Sequence, residues 1–241
     1  MQAEPVSTSP MPDDWQRALV LMAHPDDPEY GVAAAVAVWT AAGRDVRYVL
    51  ATRGEAGIAG LAPAESGPER EREQRRAIDH VGVRELEFLD HPDGRIEYGV
   101  ALRRDLAAAI RRHRPELVVT MHFGDTWFPG AWNSADHRAL GRAVVDAVGD
   151  AANEWIFPEL TQQGLEPWAG VRWTAVNHPG GDRHVDVADG IEAAVASLAE
   201  HRKYLEALSG DPVHEQARAQ VVRATGGPDA DPPRVHFTVY G

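Results

Sequence analysis

Two short segments of the chain bring imidazole and carboxylate side chains close together. The first places His24, Asp26 and Asp27 within four residues, and the second places Asp136 next to His137. Adjacent carboxylates repel each other unless a cation neutralises them. Imidazole and carboxylate groups are also the nitrogen and oxygen ligands of protein zinc sites. The two segments together therefore indicate a metal centre.

A structural interpretation is open for each segment. Asp27 followed by Pro28 is typical of a helix start with Asp27 as the N-cap, although capping explains neither the histidine nor the aspartate that precede it. Ser134 or Asp136 could cap a second helix in the same way. Taken separately, each segment leaves helix capping and metal binding open.

The composition narrows the chemistry that such a centre can use. The chain has 241 residues, with 24 basic against 37 acidic side chains, 11 histidines and no cysteine. The lack of cysteine excludes a disulfide scaffold and a thiolate metal site, so any metal ligands must be His, Asp or Glu. The formal net charge of −13 repels phosphate, and no nucleic-acid partner is expected. The chain lacks an apolar run of about 20 residues and a signal-peptide pattern, so we expect a cytoplasmic protein.

Strand and helix patterns alternate along most of the sequence. The predicted strands cover residues 18–23, 46–51, 85–89, 117–121 and 171–176, with a terminal strand near 234–239. The predicted helices cover residues 29–42, 68–80, 99–113, 134–152 and 189–208, with a short helix near 212–223. This alternation predicts a Rossmann-like, three-layer α/β/α fold with a mostly parallel sheet.

The predicted fold suggests where a ligand binds. Residues 1–16 are polar and proline-containing and are expected to form a flexible tail before a single domain over residues 17–241. Ligands of open parallel sheets bind outside the carboxyl ends of the strands. Both histidine-bearing segments lie in or next to loops that follow predicted strands. We therefore expect the two segments to meet at this edge of the sheet.

Five segments in this order resemble the PIG-L/LmbE-like deacetylases, a family that includes N-acetylglucosaminyl-phosphatidylinositol de-N-acetylases and mycothiol-pathway enzymes. The resemblance covers residues 17–208. The matching segments are His24-Pro-Asp-Asp27, Thr52-Arg-Gly-Glu-Ala-Gly57, Arg70-Glu-Arg-Glu-Gln74, His91-Pro-Asp-Gly94 and Asp136-His-Arg138. It implies a metal-dependent hydrolase that removes an acetyl or acyl group from an N-acyl amino sugar or a similar small amide. The resemblance leaves open whether the protein forms a homo-oligomer.

The resemblance also implies roles for individual residues. His24, Asp27 and His137 match the ligands of a catalytic zinc ion, although another divalent metal is open. Asp26 matches the general base that takes a proton from zinc-bound water as it attacks the amide carbonyl. Three protein ligands leave a position open for that water, as is typical of catalytic zinc.

One position departs from the family pattern. Ser134 stands where the family commonly has a histidine near the carbonyl oxygen. Because serine cannot act as an imidazolium acid, this position leaves open which groups stabilise the oxyanion and protonate the leaving amine. The candidates are His122, His178 and His184. Each of them could equally be a surface histidine or a structural one.

Three further residues are candidate substrate contacts. Arg70 matches a family arginine linked to substrate hydroxyls, but it could equally belong to a solvated helix and pair with Glu73. Asp93 could accept a hydrogen bond from a sugar hydroxyl, or it could belong to an ordinary Pro-Asp-Gly turn. Trp132 and its neighbours Trp127 and Phe128 could stack on a sugar ring or close the pocket, or they could simply pack.

Two other functions remain open at this point. Two histidines and one carboxylate are also the metal ligands of non-haem Fe(II) oxygenases, although an oxygenase has no need of Asp26 and the order of elements disfavours it. The absence of an imidazole at Ser134 also suits a non-catalytic protein that binds a metal or a sugar. That protein would bind metal without releasing acetate.

Overall fold

The computed structural model describes residues 8–241, which form a central sheet with helices on both faces. The strands are β1 (Ser9–Pro10), β2 (Arg17–Met22), β3 (Asp45–Leu50), β4 (Leu86–Phe88), β5 (Leu117–Met121), β6 (Thr126–Phe128), β7 (Ala131–Trp132), β8 (Trp173–Asn177), β9 (Arg183–Asp186) and β10 (Arg234–Tyr240). The helices are α1 (Asp27–Gly31), α2 (Ala33–Ala41), α3 (Pro63–His80), α4 (Val100–His113), α5 (Ala135–Ala152), α6 (Pro158–Gln162), α7 (Ile191–Ala199), α8 (Arg202–Leu208) and α9 (Val213–Ala224).

The sheet confirms the predicted α/β architecture. Its order is β1-β9-β10-β8-β5-β2-β3-β4, and β2, β3, β4, β5 and β8 pair in parallel. The exception at one side is β10, which is antiparallel to both β8 and β9. Helices α4 and α5 pack together, α2, α3 and α7 form a second group, and helices of both groups contact the sheet. The central strand β2 is therefore buried on both sides, which explains its continuous run of apolar residues.

Two predicted helices are broken in the structure. The helix predicted over 29–42 divides into α1 and α2 at Val32, and the one predicted over 189–208 divides into α7 and α8. At the second break the amide of His201 bonds to the carbonyl of Leu198, three residues earlier, which tightens and ends the last turn of α7. The side chain of His201 is completely buried there, a tertiary contact that local periodicity does not reveal.

The prediction of a flexible tail over residues 1–16 is wrong for its second half. Residues 1–7 lie outside the described part of the chain, but β1 pairs in parallel with β9. Trp15 is only 2% exposed, and its ring packs edge-on against Trp39 at 5.3 Å between centroids. Burial of the large Trp15 ring holds this segment against the body of the protein. The single domain over 17–241 stays a prediction, and most of its buried apolar side chains belong to one cluster.

The carboxyl ends of β2, β5 and β8 lie side by side and position the loops that carry the chemistry. The loop after β2 leads directly into α1, and the loop after β5 forms the β6–β7 hairpin before α5 begins. Both histidine-bearing segments therefore reach the same edge of the sheet, as expected. Within residues 8–241, no helix has both the length and the apolar character needed to cross a membrane.

Candidate active site

The three predicted metal ligands converge in space. Asp27 lies between the two imidazoles, with its Oδ2 3.2 Å from Nδ1 of His24 and its Oδ1 3.1 Å from Nε2 of His137. Ligand atoms of all three side chains lie within 4.8 Å of one another. The loop after β2 supplies His24, the first residue of α1 is Asp27, and the first turn of α5 supplies His137. The three side chains thus face one point from two elements that are far apart in sequence.

The hydrogen bonds of Asn133 fix the tautomer of His137. The Asn133 side-chain nitrogen donates to the carbonyls of His122 and Gly124, so its Oδ1 is the atom that faces Nδ1 of His137 at 3.0 Å. Nδ1 is then the nitrogen that donates, and in the neutral ring the lone pair is on the Nε2 that faces Asp27. A neutral His137 and an ionised Asp27 would present two acceptor atoms 3.1 Å apart, and such a pair is stabilised by a cation that binds both.

His24 is oriented in the same way by carboxylates. Its Nε2 lies 3.1 Å from Oδ2 of Asp136 and 3.1 Å from Oδ1 of Asp93, so Nδ1 faces Asp27. Burial alone would lower the pKa of His24, but Asp27 and the other carboxylates raise it well above its usual value. This environment favours a positive charge between His24 and Asp27. A carboxylate behind a ligating imidazole is the usual outer partner in zinc sites, and the donor set fits a divalent metal.

The orienting role of Asp136 was not predicted from the sequence. Asp136 is 2% exposed, and besides facing His24 it accepts hydrogen bonds from the amides of Gly94 at 2.7 Å and Ile96 at 3.0 Å. It therefore joins the start of α5 to the loop after β4 and to a metal-ligand candidate. Its position directly before His137 was the available signal, but that position is equally typical of the first turn of a helix.

Asp26 adopts a strained conformation beside the ligands. Its φ of 83° lies in the left-handed region, which is uncommon for a residue other than glycine. The amide of Asp26 donates to Oε1 of Gln74 at 2.8 Å, and its Oδ2 lies 3.0 Å from Nη2 of Arg70. Burial raises the pKa of Asp26 to about 6, although Arg70 opposes the shift. Asp26 is the N-terminal flanking residue of α1 but makes no side-chain capping bond, so helix capping does not account for its carboxylate.

Arg70 is not part of a solvated helix face. It is 2% exposed, donates to the carbonyl of Pro25 at 2.6 Å, and lies over the ring of Tyr204 at 4.1 Å. The alternative partner, Glu73, instead accepts a hydrogen bond from the amide of Lys203. A Cβ atom at Gly57 would overlap the Arg70 guanidinium, which explains a glycine in this loop. Arg70 therefore braces the metal-ligand loop and the Asp26 carboxylate.

A cavity of about 690 Å³ opens over these residues. That volume lies within the usual range for a small-molecule site. Its wall includes His24, Asp26, Asp27, Asp93, His137 and Arg70, together with residues of α9 and β10 that sequence reasoning did not identify. Asp93 contributes to the wall, but its Oδ1 faces His24 and its Oδ2 accepts a hydrogen bond from the amide of Ala56. The two Asp93 oxygens are thus already engaged by the protein.

The three candidate substitutes for the missing imidazole lie outside the cavity wall. Nε2 of His122 faces the carbonyl of Thr126 at 3.1 Å, and the centroid of the His122 ring lies 4.2 Å from that of the His178 ring, with the two planes tilted by 45°. His178 accepts a hydrogen bond from the amide of Gly180. His184 contacts Thr8 at the β1 edge of the sheet. Each of these histidines therefore contacts another part of the protein and does not face the cavity.

Ser134 and Trp132 also have structural contacts. Oγ of Ser134 accepts a hydrogen bond from the amide of His137 at 3.1 Å, so the capping interpretation of Ser134 is confirmed. Trp132 is 68% exposed and lies under the guanidinium of Arg138 at 5.0 Å. The cavity wall instead includes Trp127 and Phe128, which belong to β6 of the same hairpin.

Comparisons with known proteins agree with this geometry. Residues 19–148 match the family model PIG-L, described as GlcNAc-PI de-N-acetylase. The chain is 27% identical over 197 residues to diacetylchitobiose deacetylase of Thermococcus kodakarensis, covering 78% of this chain and 70% of that protein. It is 33% identical over 177 residues to 1D-myo-inositol 2-acetamido-2-deoxy-alpha-D-glucopyranoside deacetylase of Kineococcus radiotolerans, covering 58% of this chain and 48% of that protein.

A solved structure shows the same fold. N,N′-diacetylchitobiose deacetylase from Pyrococcus horikoshii superposes with a TM-score of 0.81 at 22% identity, covering 94% of this chain and 84% of that chain. The two curated relatives are named deacetylases, which are amide hydrolases. The chain spans only about half the length of the Kineococcus relative.

Proposed function

Because the chain belongs to the PIG-L family of de-N-acetylases, we propose that it is a zinc-dependent enzyme that removes the acetyl group from the nitrogen of an N-acetylated amino sugar. The observation that carries this proposal is the convergence of His24, Asp27 and His137, with the remaining nitrogen of each imidazole held by an oxygen. The names of the relatives support an N-acetylated sugar as the substrate class.

His24, Asp27 and His137 would hold the metal. Two imidazoles and one carboxylate with an open cavity on the remaining side suit catalytic zinc. When bound, the ion supplies a Lewis acid that activates water and stabilises negative charge on the amide oxygen. Asn133 and Asp136 keep the ligand nitrogens turned toward that point.

Asp26 is the general base in this proposal. Asp27, Asp93 and Asp136 each face a nitrogen of His24 or His137, whereas the Asp26 carboxylate faces Arg70. Asp26 is therefore the carboxylate of this group that is left to accept a proton from the attacking water. As the amide carbon–nitrogen bond breaks, the same proton passes from Asp26 to the leaving nitrogen, which departs as the amine. The products are acetate and the free amino sugar.

The test compares metal content and acetate release in two aspartate variants. The purified chain is assayed for bound metal and for acetate release from N-acetylglucosamine and N,N′-diacetylchitobiose. Asp26→Asn should keep the metal of the parent and lose about 100- to 10,000-fold in kcat, the usual contribution of a general base. The matched control is Asp229→Asn, because Asp229 is an exposed residue outside the cavity wall, and it should match the parent.

Three results would contradict the proposal. An Asp26→Asn variant as active as the parent rules out Asp26 as the base. Loss of metal from the same variant makes Asp26 a ligand rather than a base. Bound metal without acetate from either sugar favours the non-catalytic alternative, which the capping role of Ser134 keeps open.

A further inference from the structure

The cavity continues away from the metal ligands toward α9. Helix α9 contributes Gln220, Arg223 and Ala224 to the wall, a spacing that puts them on one helix face. Nε2 of Gln220 donates to the carbonyl of Tyr30 at 3.4 Å, and Tyr30 belongs to α1, the helix that begins at Asp27. Tyr30 therefore lies between the metal-ligand loop and the α9 face.

The two parts of this cavity differ in charge. The part beside the metal ligands contains three carboxylates, those of Asp26, Asp27 and Asp93. The α9 part contains Arg223, whose guanidinium donates to Oε1 of Gln220 at 3.3 Å. Among residues 8–241, no carboxylate forms an ion pair with Arg223, whereas Arg218 on the same helix pairs with Glu192 at 2.6 Å. The chain thus leaves a cation at the cavity wall although acidic side chains outnumber basic ones.

A second polar group belongs to the wall of the same cavity. His236 of β10 contributes to the wall, and its buried Nδ1 has no hydrogen-bond partner in the described part of the chain. Burial lowers the pKa of His236, and His184 and Arg234 lower it further, although a hydrogen bond with the backbone of Gly181 opposes the shift. The amide of Arg234 donates to the carbonyl of Thr225 at 2.9 Å, which holds the start of β10 against the end of α9.

We propose that Gln220, Arg223 and His236 form a subsite, the α9 subsite, for an anionic group on the aglycone of the N-acetylated substrate. The class of anion is a carboxylate or a phosphate monoester, because the planar guanidinium fork of Arg223 matches both. The inference rests on the proposed function, which places the acetyl group at the metal ligands. A neutral substrate would leave the Arg223 charge facing the cavity without a counter-charge.

Arg223 also lies in the last turn of α9, where a cation stabilises the helix dipole. That effect would act on the stability of the protein and not on the choice between substrates. A test of the α9 subsite must therefore measure a ratio between substrates, which a general loss of stability leaves unchanged.

The probes are glycosides of N-acetylglucosamine with alkyl aglycones of three lengths. Each ends in a carboxylate, a phosphate monoester or, as the neutral match, a primary amide. For the parent at 50 mM NaCl, kcat/KM for the better anionic probe should exceed that for the amide of the same length about tenfold, the size of one charge-assisted hydrogen bond. Arg223→Gln should bring this ratio to about one, and Arg223→Glu should bring it below one.

Salt and a matched variant complete the test. The ratio for the parent should fall at 500 mM NaCl, because salt screens an exposed pair. Arg218→Gln removes an arginine from the same helix but outside the cavity wall, and it should retain the tenfold ratio. A parent ratio of one at every length, or a ratio that survives in Arg223→Gln, overturns the α9 subsite. A preference for the carboxylate or for the phosphate identifies which anion the subsite accepts.

Calorimetric binding separates failure of the subsite from failure of the proposed function. If no probe releases acetate, but the parent binds an anionic probe more tightly than its amide and Arg223→Gln does not, the α9 subsite stands and the deacetylase proposal fails. If anionic and amide probes release acetate equally fast, the deacetylase proposal stands and the subsite is overturned. If the protein neither binds nor hydrolyses any probe, both are overturned.

Discussion

Replacing Asp136 with asparagine isolates the contribution of an orienting carboxylate without changing its size. One oxygen of Asp136 accepts from the Gly94 amide and faces His24, and the other accepts from the Ile96 amide. Asparagine has one acceptor oxygen and one donor NH₂. Whichever way its amide turns, the NH₂ group meets at least one N–H group in a buried position. The substitution therefore leaves a buried donor unpaired in either orientation.

The expected magnitudes follow from this arrangement. An unpaired buried polar group costs about 1–3 kcal/mol of unfolding free energy. In a chain of this size, about 2–4 °C in Tm corresponds to each kcal/mol. Loss of the carboxylate behind a ligating histidine weakens metal binding about 10- to 100-fold. We expect Asp136→Asn to show both effects, the first without metal and the second in metal titrations.

The assay combines two measurements on the same preparations. Thermal unfolding of metal-free protein gives the stability change, and competition with a chelator gives the metal affinity. Asp146→Asn on the same helix is the control, because Asp146 lies at an exposed site where it accepts a hydrogen bond from Tyr98. The reasoning is refuted if Asp136→Asn binds metal as tightly as the parent. An unchanged Tm for metal-free Asp136→Asn would refute the argument from the unpaired donor.

Two further predictions concern local contacts. Ser134→Ala should lower the unfolding free energy by about 0.5–2 kcal/mol through loss of the α5 cap, measured by urea unfolding, whereas Ser134→Asn should keep most of it; equal losses in both would contradict the capping role. Glu87 is partly buried, which raises its pKa, but His113 and Arg112 lower it more, to a net value below the usual 4.5. Its stabilising contribution is therefore full above that usual pKa and is lost as the pH falls through the lowered value. Glu87→Gln should lose stability at pH 7 and less at pH 3, and a pH-independent loss would contradict this assignment.

The sequence predicted most strands because their signal is local. The buried strands β2 and β5 are continuous apolar runs, and the structure places them within one residue of their predicted bounds. The break before α8 was missed because no glycine or proline marks it, and the cause is the burial of His201 against other elements. The short β9 and the β6–β7 hairpin were also missed, although Pro129-Gly130 between aromatic residues was a usable turn signal.

The candidate site shows a similar division. The two segments that bring together His24, Asp27 and His137 were evident from residue types and from the position of loops after strands. The environment of Arg70 was not, because its burial depends on Asp26 and Tyr204, which are remote in sequence. The wall contributed by α9 and β10 likewise depends on tertiary packing. Short-range spacing thus predicted the ligand set, and only the folded chain identified its orienting residues and the cavity.

The position of β10 has a consequence for the order in which the protein can be assembled during translation. This strand follows both β8 and β9 in the sequence, yet it lies between them in the sheet. Until residues 234–240 leave the ribosome, β8 and β9 have no β10 between them, and each keeps an open edge to which other chains can pair. His236, which contributes to the cavity wall, also belongs to this strand. Completion of the binding cavity therefore coincides with closure of the sheet, and fragments that stop before β10 are expected to aggregate and to lack a finished site.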